Sequence, residues 1–164
     1  MKLLALDLGT MTGFGIGSVD HMVSGFWNLK PGRFDGGGMR FVKFRARLDE
    51  LRTTYGVTHV FFEEVRRHKG VDAAHVYGGL MATLTAWCEE HKVPYSGLPV
   101  GEIKKAWTGN GNASKDRMVE ECERRGFSPQ SEDEADAIAI FHLALERMAS
   151  TIAAEVEKEE AEYA

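Results

Sequence analysis

The sequence predicts one α/β domain: a five-stranded mixed sheet, made of a three-strand antiparallel meander plus two parallel strands, with helices on both faces. Three observations predict it. The chain has 164 residues, a length that suits a single domain and suffices to bury a core. Its composition, 43% hydrophobic and 27% charged, is that of an ordinary globular protein and excludes collagen-like, rod-like and disordered chains. Strand-like segments come three in a row and then alternate with helical ones, an order that suits a meander extended by parallel strand–helix–strand units.

The elements follow in order. KLLALDL (2–8) reads as a buried strand ending at Gly9, GTMTG (9–13) as a turn, and 14–18 with 22–28 as two further strands. Pro31, Gly32 and the triple glycine 36–38 end regular structure in the loop 29–38. From Met39 to Tyr55, Phe41, Phe44, Leu48, Leu51 and Tyr55 recur at helical spacing. A strand at 58–64 leads to a basic loop reaching about residue 72. A helix at 73–90 turns Val76, Tyr77, Leu80, Leu84 and Trp87 inward. VPYSGL (93–98) is the fifth strand. A short helix near 100–107, a Gly/Asn loop and a helix at 114–125 follow, with Ser114 as its N-cap. The last helix starts at Glu132 and runs to about Ser150. The single domain is thus 1–150, and the acidic end 151–164 is a solvated helix extension or a frayed terminus.

Cys88 and Cys122 stand far apart with no CxxC, which predicts neither a disulfide framework nor a zinc site. The opening MKLLALDLGT is interrupted by Asp7 before a signal core forms, and no continuous apolar run reaches membrane-span length. The expectation is a cytoplasmic protein with no membrane partner. The net charge of −5 conceals an asymmetry: residues 132–164 carry ten acids and two bases, residues 1–131 carry 18 bases and 15 acids. Arg33, Arg40, Lys43, Arg45 and Arg47 cluster, as do Arg66, Arg67 and Lys69, then Lys104, Lys105, Lys115 and Arg117. Such patches can neutralise phosphates even in an acidic chain.

Four carboxylates stand where polar residues need a reason. Asp7 shares a strand face with Leu3 and Ala5, where a lone desolvated charge is costly. Glu63 and Glu64 end the fourth strand and point to opposite faces, so one of the two can join Asp7, and parity alone does not choose. Asp133 and Asp136 share one face of the last helix. Ser131 and Glu134 fit a capping box there, and acids in a first turn complement the helix dipole. Asp136, however, lies past that turn. Oxygen ligands at this density select hard cations such as Mg²⁺ or Mn²⁺, and two such ions can serve both oxygens of an in-line phosphodiester displacement.

In this order and spacing LALDLGTMTGFG, FFEEV, GNGNASK and EDEADAIAI resemble the RuvC-type Holliday junction resolvases of the RNase H-like superfamily, from residue 1 to about 146. The resemblance implies a homodimeric endonuclease that nicks symmetric strands of a four-way DNA junction with two Mg²⁺ ions per site. Asp7 matches the first-strand aspartate, Glu63 the glutamate of the fourth strand, Asp133 and Asp136 the final acidic pair, and Lys115 a lysine that contacts DNA. One position departs: where bacterial members carry a junction-stacking aromatic, this chain has Arg66, inside RRHKG. Phage-type members are less selective among branched DNAs, which implies a broader substrate range here. Arg66, Arg67 and Lys69 are expected beside the site, contacting DNA.

Other motifs carry less. GNGNASK fails the phosphate-loop pattern, because Lys115 follows Ser114 and precedes Asp116, so no nucleotide cofactor is expected. The D-x-G-T opening also occurs in actin-like ATPases and sugar kinases, which need a second lobe for which the chain has no room. A non-catalytic branched-DNA binder and a nuclease of RNA–DNA hybrids are the other readings. His68 is read as an exposed loop histidine, and the three tryptophans as packing. The adjacent Gly78 and Gly79 on the second helix would let another helix approach, as at a dimer face, while packing on the chain's own sheet is the other reading of the same apolar pattern.

Overall fold

Alternate residues of the first strand feed two separate cores. In the computed structural model, which describes residues 1–68 and 70–162, β1 (Leu3–Asp7) lies at the centre of one sheet of order β3-β2-β1-β4-β5. It pairs antiparallel with β2 (Met11–Ser18) and parallel with β4 (His59–Glu64). β3 (His21–Asn28) closes the meander on β2, and β5 (Tyr95–Pro99) adds parallel to β4. Leu4 and Leu6 join Ile16, Val60 and Phe62 under α1 (Met39–Tyr55) and α2 (Val71–His91). Leu3 and Ala5 join Phe61 and Leu98 under α3 (Val100–Thr108), α4 (Lys115–Arg124) and α5 (Glu132–Glu162). This is the mixed sheet with helices on both faces that the sequence predicts.

The differences are local. β2 starts at Met11 rather than 14, because the turn closes early: the Thr12 hydroxyl donates to the Gly9 carbonyl at 2.7 Å, leaving Met11 to pair with Asn28. α1 stops at Gly56, whose φ of 70° suits a residue without Cβ and whose N–H caps the Arg52 carbonyl. Ser114 caps α4 by accepting from the Arg117 N–H, as expected. α5 runs unbroken to Glu162, through the acidic segment. By length and composition alone it would suffice for a membrane span, yet Ala135, Ile138, Phe141 and Ala144 are core against the sheet.

Cys88 and Cys122 are both free and buried, and Trp27, Trp87 and Trp107 are all core. The Trp87 indole N–H donates to Asp49 at 2.7 Å, joining α2 to α1. Asp49→Ala would leave that buried donor unpaired, a loss of about 1–3 kcal/mol. Urea unfolding is expected to read this as a lower midpoint with an unchanged slope. Half of the glycine pair on α2 is used inside the chain: a Cβ on Gly79 would sit 2.4 Å from the Phe41 ring of α1, while Gly78 faces open space.

Candidate active site

Register decides what parity left open. Leu6 pairs with Phe62, so the next residues, Asp7 and Glu63, lie side by side at the ends of adjacent parallel strands. Phe61 belongs to the core under α5 and Phe62 to the core under α1 and α2. Glu63 therefore shares the α5 face with Asp7, and Glu64 takes the other face. There Glu64 pairs with Arg66 at 3.6 Å.

The start of α5 is brought over this point by a glycine. Gly13 is the β2 partner of Asp7, and a Cβ there would lie 1.8 Å from the Asp133 carbonyl oxygen. With only hydrogen at that position, the first turn of α5 rests directly on the sheet. Ser131 caps it by accepting from the Glu134 N–H at 3.0 Å. Glu134 reaches one residue further back than a capping box requires: its carboxylate accepts from the Gln130 N–H at 2.8 Å and from the Ser24 hydroxyl of β3 at 2.7 Å. The helix is thus tied to the meander, and Asp133 and Asp136 come to the pole where β1 and β4 end.

The electrostatics record the convergence. Burial holds the Asp7 carboxyl well above the usual carboxylate range, and Glu63, Asp136 and Asp133 add to it, with Lys115 opposing. Burial, then Asp136, pushes Glu63 up to about 7, against the pull of Lys104 and Lys115. Burial pushes Asp136 up to about 6, with Lys115 and Lys104 opposing. Asp133 is raised by burial and lowered by Lys115. Among the described residues, burial and like charge raise Asp7, Glu63 and Asp136 with no hydrogen bond to offset them, and only the charges of Lys115 and Lys104 oppose. Among the described residues, no three ligating side chains are drawn in closely enough to hold an ion as they stand.

Lys115, at the first residue of α4, bonds Glu132 at 2.9 Å and so stands beside the acid pair. Lys104 on α3 went unrecognised as a site residue in the sequence; it reaches the same acids and donates to the Ala113 carbonyl at 2.8 Å. Its signal was positional, since α3 begins where β5 ends at the same pole as β1 and β4. Tyr77 was likewise read only as packing. Its hydroxyl donates to the Glu63 carbonyl at 2.8 Å and accepts from the Val65 N–H at 3.0 Å, bracing the strand end that carries Glu63.

Arg66 and Arg67 are exposed in the segment after β4, and Lys69 lies outside the described residues. His68 differs from expectation: it is not exposed but packs on Tyr77, 4.8 Å between centroids, with Nε2 buried and without a partner. It lines a cavity of about 290 Å³ with Leu8, Thr10, Arg40 and Tyr77. Tyr77 offers its face there because its hydroxyl is held on the far strand end.

No family model matches the chain. The crossover junction endodeoxyribonuclease RuvC of Parasynechococcus marenigrum is 30% identical over 153 residues, covering 85% of this chain and 95% of that protein. The RuvC of Dehalococcoides mccartyi is 28% identical over 147 residues, covering 85% and 88%. Among solved structures, Thermus thermophilus RuvC superposes with a TM-score of 0.72 at 22% identity over 91% of this chain and 97% of that one. The same protein in complex with a Holliday junction substrate gives 0.71 at 22% identity, covering 85% and 90%. The yeast mitochondrial Holliday junction resolvase gives 0.57 at 16%, covering 84% and 75%. The fold is therefore that of RuvC, and with a relative at this identity aligned over most of both sequences, the chain belongs to the RuvC crossover junction endodeoxyribonuclease family.

Proposed function

We propose that the chain is a metal-dependent endonuclease that cleaves Holliday junctions and other branched DNA, with Asp7, Glu63, Asp133 and Asp136 as its cation-holding catalytic carboxylates. The observation that carries this reading is the gathering of those four acids, from β1, β4 and α5, at one pole of a RuvC-family chain. The donor set fits hard cations: all ligand atoms are carboxylate oxygens, desolvated and mutually repelling, with no sulfur or imidazole in the set. Two Mg²⁺ ions, or Mn²⁺, would supply charge neutralisation at the attacking and leaving oxygens of an in-line displacement.

The chain's own residues do the rest. Asp7 and Glu63 are fixed by paired strands, so their spacing is set by the sheet and not by loop motion. Asp133 and Asp136 close the site from the helix above, held by the Glu134 contacts. Lys115 and Lys104 offset the acids' charge and stand where an incoming phosphodiester must pass. Arg66, Arg67 and Lys69 contact DNA beside the site, Arg66 at the crossover and Lys69 at phosphate. The reading includes a cytoplasmic location, as the bacterial relatives of the chain imply.

The reading includes a homodimer, because a four-way junction presents two equivalent strands and a two-fold protein presents two equivalent sites. The outer face of α2, open at Gly78, is its contact surface, and light scattering of the free protein is expected to give twice the chain mass. The test of function is nicking of a synthetic four-way junction in Mg²⁺ and in EDTA, beside an RNA–DNA hybrid and ATP. Symmetric nicks in Mg²⁺ alone are expected. Hybrid cleavage without junction cleavage would contradict the reading, and tight junction binding without nicks would make the chain a non-catalytic binder.

A further inference from the structure

The loop 29–38 is clamped at both ends to one residue. The Leu29 N–H donates to the Thr10 carbonyl at 2.8 Å, and Arg40, at the start of α1, donates from Nη1 to the Thr10 hydroxyl at 3.1 Å. Thr10 lies three residues beyond Asp7 in the turn that leaves β1, so the loop is fixed to the pole where the four acids gather. At its tip stands Phe34, 94% exposed, the most exposed of the described Phe, Trp and Tyr residues.

A single exposed apolar side chain is ordinary, but the setting of this one is not apolar. The Arg33 guanidinium lies 5.5 Å from the Phe34 ring centroid, so one face of the ring is already matched to a cation. Lys30, Arg33, Arg40 and Lys43 surround it in sequence with Asp35 as the one acid. Asp35 is engaged, accepting from the Gly32 N–H at 2.7 Å and pairing with Lys43 at 3.4 Å. Met39 and Val42 are exposed close by in sequence, but an aromatic ring among cations matches the two needs of an unpaired nucleotide, a stacking face and phosphate neutralisation.

Resting on the nuclease reading above, we propose that Phe34, braced by Arg33, is a base-stacking element that engages an unstacked nucleotide at the branch point of the DNA. Arg33 contributes at the adjoining phosphate, and the Thr10 clamp sets the distance between this contact and the scissile strand.

The test uses the full chain with Ca²⁺ in place of Mg²⁺, a four-way junction carrying 2-aminopurine at the crossover, and a plain duplex of equal length. Phe34→Ala is expected to weaken junction binding about five- to tenfold, within the range of one lost base–aromatic stack. Duplex affinity and the salt slope of junction binding should stay at wild-type values, and the quenching of 2-aminopurine should be relieved. Phe34→Trp is expected to restore both affinity and quenching, whereas Arg33→Gln should flatten the salt slope. Wild-type affinity and quenching in Phe34→Ala would overturn the proposal while leaving the nuclease reading intact, as would an equal loss on duplex. A change confined to oligomeric state in light scattering would assign Phe34 to a protein interface and also overturn it. A wild-type protein with no preference for the junction would overturn both readings.

Discussion

Asp7→Asn is expected to lower junction cleavage by more than about a hundredfold, beyond what loss of a supporting outer partner of a metal ligand costs, while junction affinity stays within about twofold. The two effects separate because affinity comes chiefly from cations on phosphate, and Asp7 contributes none. Asn keeps the shape of the side chain but removes the charge that a hard cation requires. The same change should make the metal-free protein more stable at neutral pH. Asp7 is desolvated and faces Glu63, Asp136 and Asp133, so an ionised carboxylate there opposes folding. Loss of rate with a gain in melting temperature is the signature of a charge kept for function. Single-turnover nicking and thermal unfolding of the two proteins measure it, and a variant that nicks at the wild-type rate would remove Asp7 from the mechanism.

The second large effect is expected from a residue with no chemistry. Gly13→Ala introduces a methyl group whose ideal position lies 1.8 Å from the Asp133 carbonyl oxygen, 2.4 Å from its carbon and 3.0 Å from the Glu134 nitrogen. These are backbone atoms of the first turn of α5, so no rotamer change relieves the overlap, and the helix start must lift from the sheet. Asp133 and Asp136 then move away from Asp7 and Glu63. A displacement of about 1 Å at a reacting centre costs on the order of a hundredfold in rate, and overpacking of this kind costs about 1–3 kcal/mol. Cleavage should fall by at least about tenfold, with all four carboxylates and the basic loops intact and junction binding retained. Unchanged cleavage in a folded Gly13→Ala protein would mean that the α5 acids need not sit where they do.

Strand and helix order were legible because β1 and β4 are short apolar runs between breakers and because Phe44, Leu48 and Leu51 repeat at helical spacing. The choice between Glu63 and Glu64 was not legible from alternation, which fixes only that the two differ. It required the register of β4 on β1, a long-range pairing that no local pattern encodes. Asp133 was ambiguous because a helix-capping acid and a site acid have the same sequence appearance. The close approach of the helix start at Gly13, 120 residues earlier in the chain, is what brings Asp133 to the pole of the other acids and makes it a candidate for both roles. Lys104 and Tyr77 were missed because each sits in an ordinary amphipathic pattern, and their roles arise from where β5 and α2 meet the site pole. His68 looked like any histidine in a basic loop, and its packing on Tyr77 depends on the fold of α2 beneath it.

The central claim is that the four acids form a cation site, and thermal unfolding against pH, with and without Mg²⁺, tests it without recourse to activity. All four carboxyls are raised in the folded chain, so their contribution to stability is fully present below the unfolded values of 3.8 and 4.5. It is lost as pH rises through the folded values of about 6 for Asp136 and about 7 for Glu63. Without Mg²⁺ the set should therefore lower stability progressively between about pH 4 and pH 7. At pH 8 a saturating hard cation replaces the lost protons, and Mg²⁺ at about a hundred times its dissociation constant adds about 2.7 kcal/mol. For a chain of this size that is a rise of roughly 5–10 °C in melting temperature. The rise should be small at pH 5, where protons compete for the same oxygens, and absent in Asp7→Asn. A melting temperature at pH 8 that does not respond to Mg²⁺, or that responds equally in Asp7→Asn, would contradict the account.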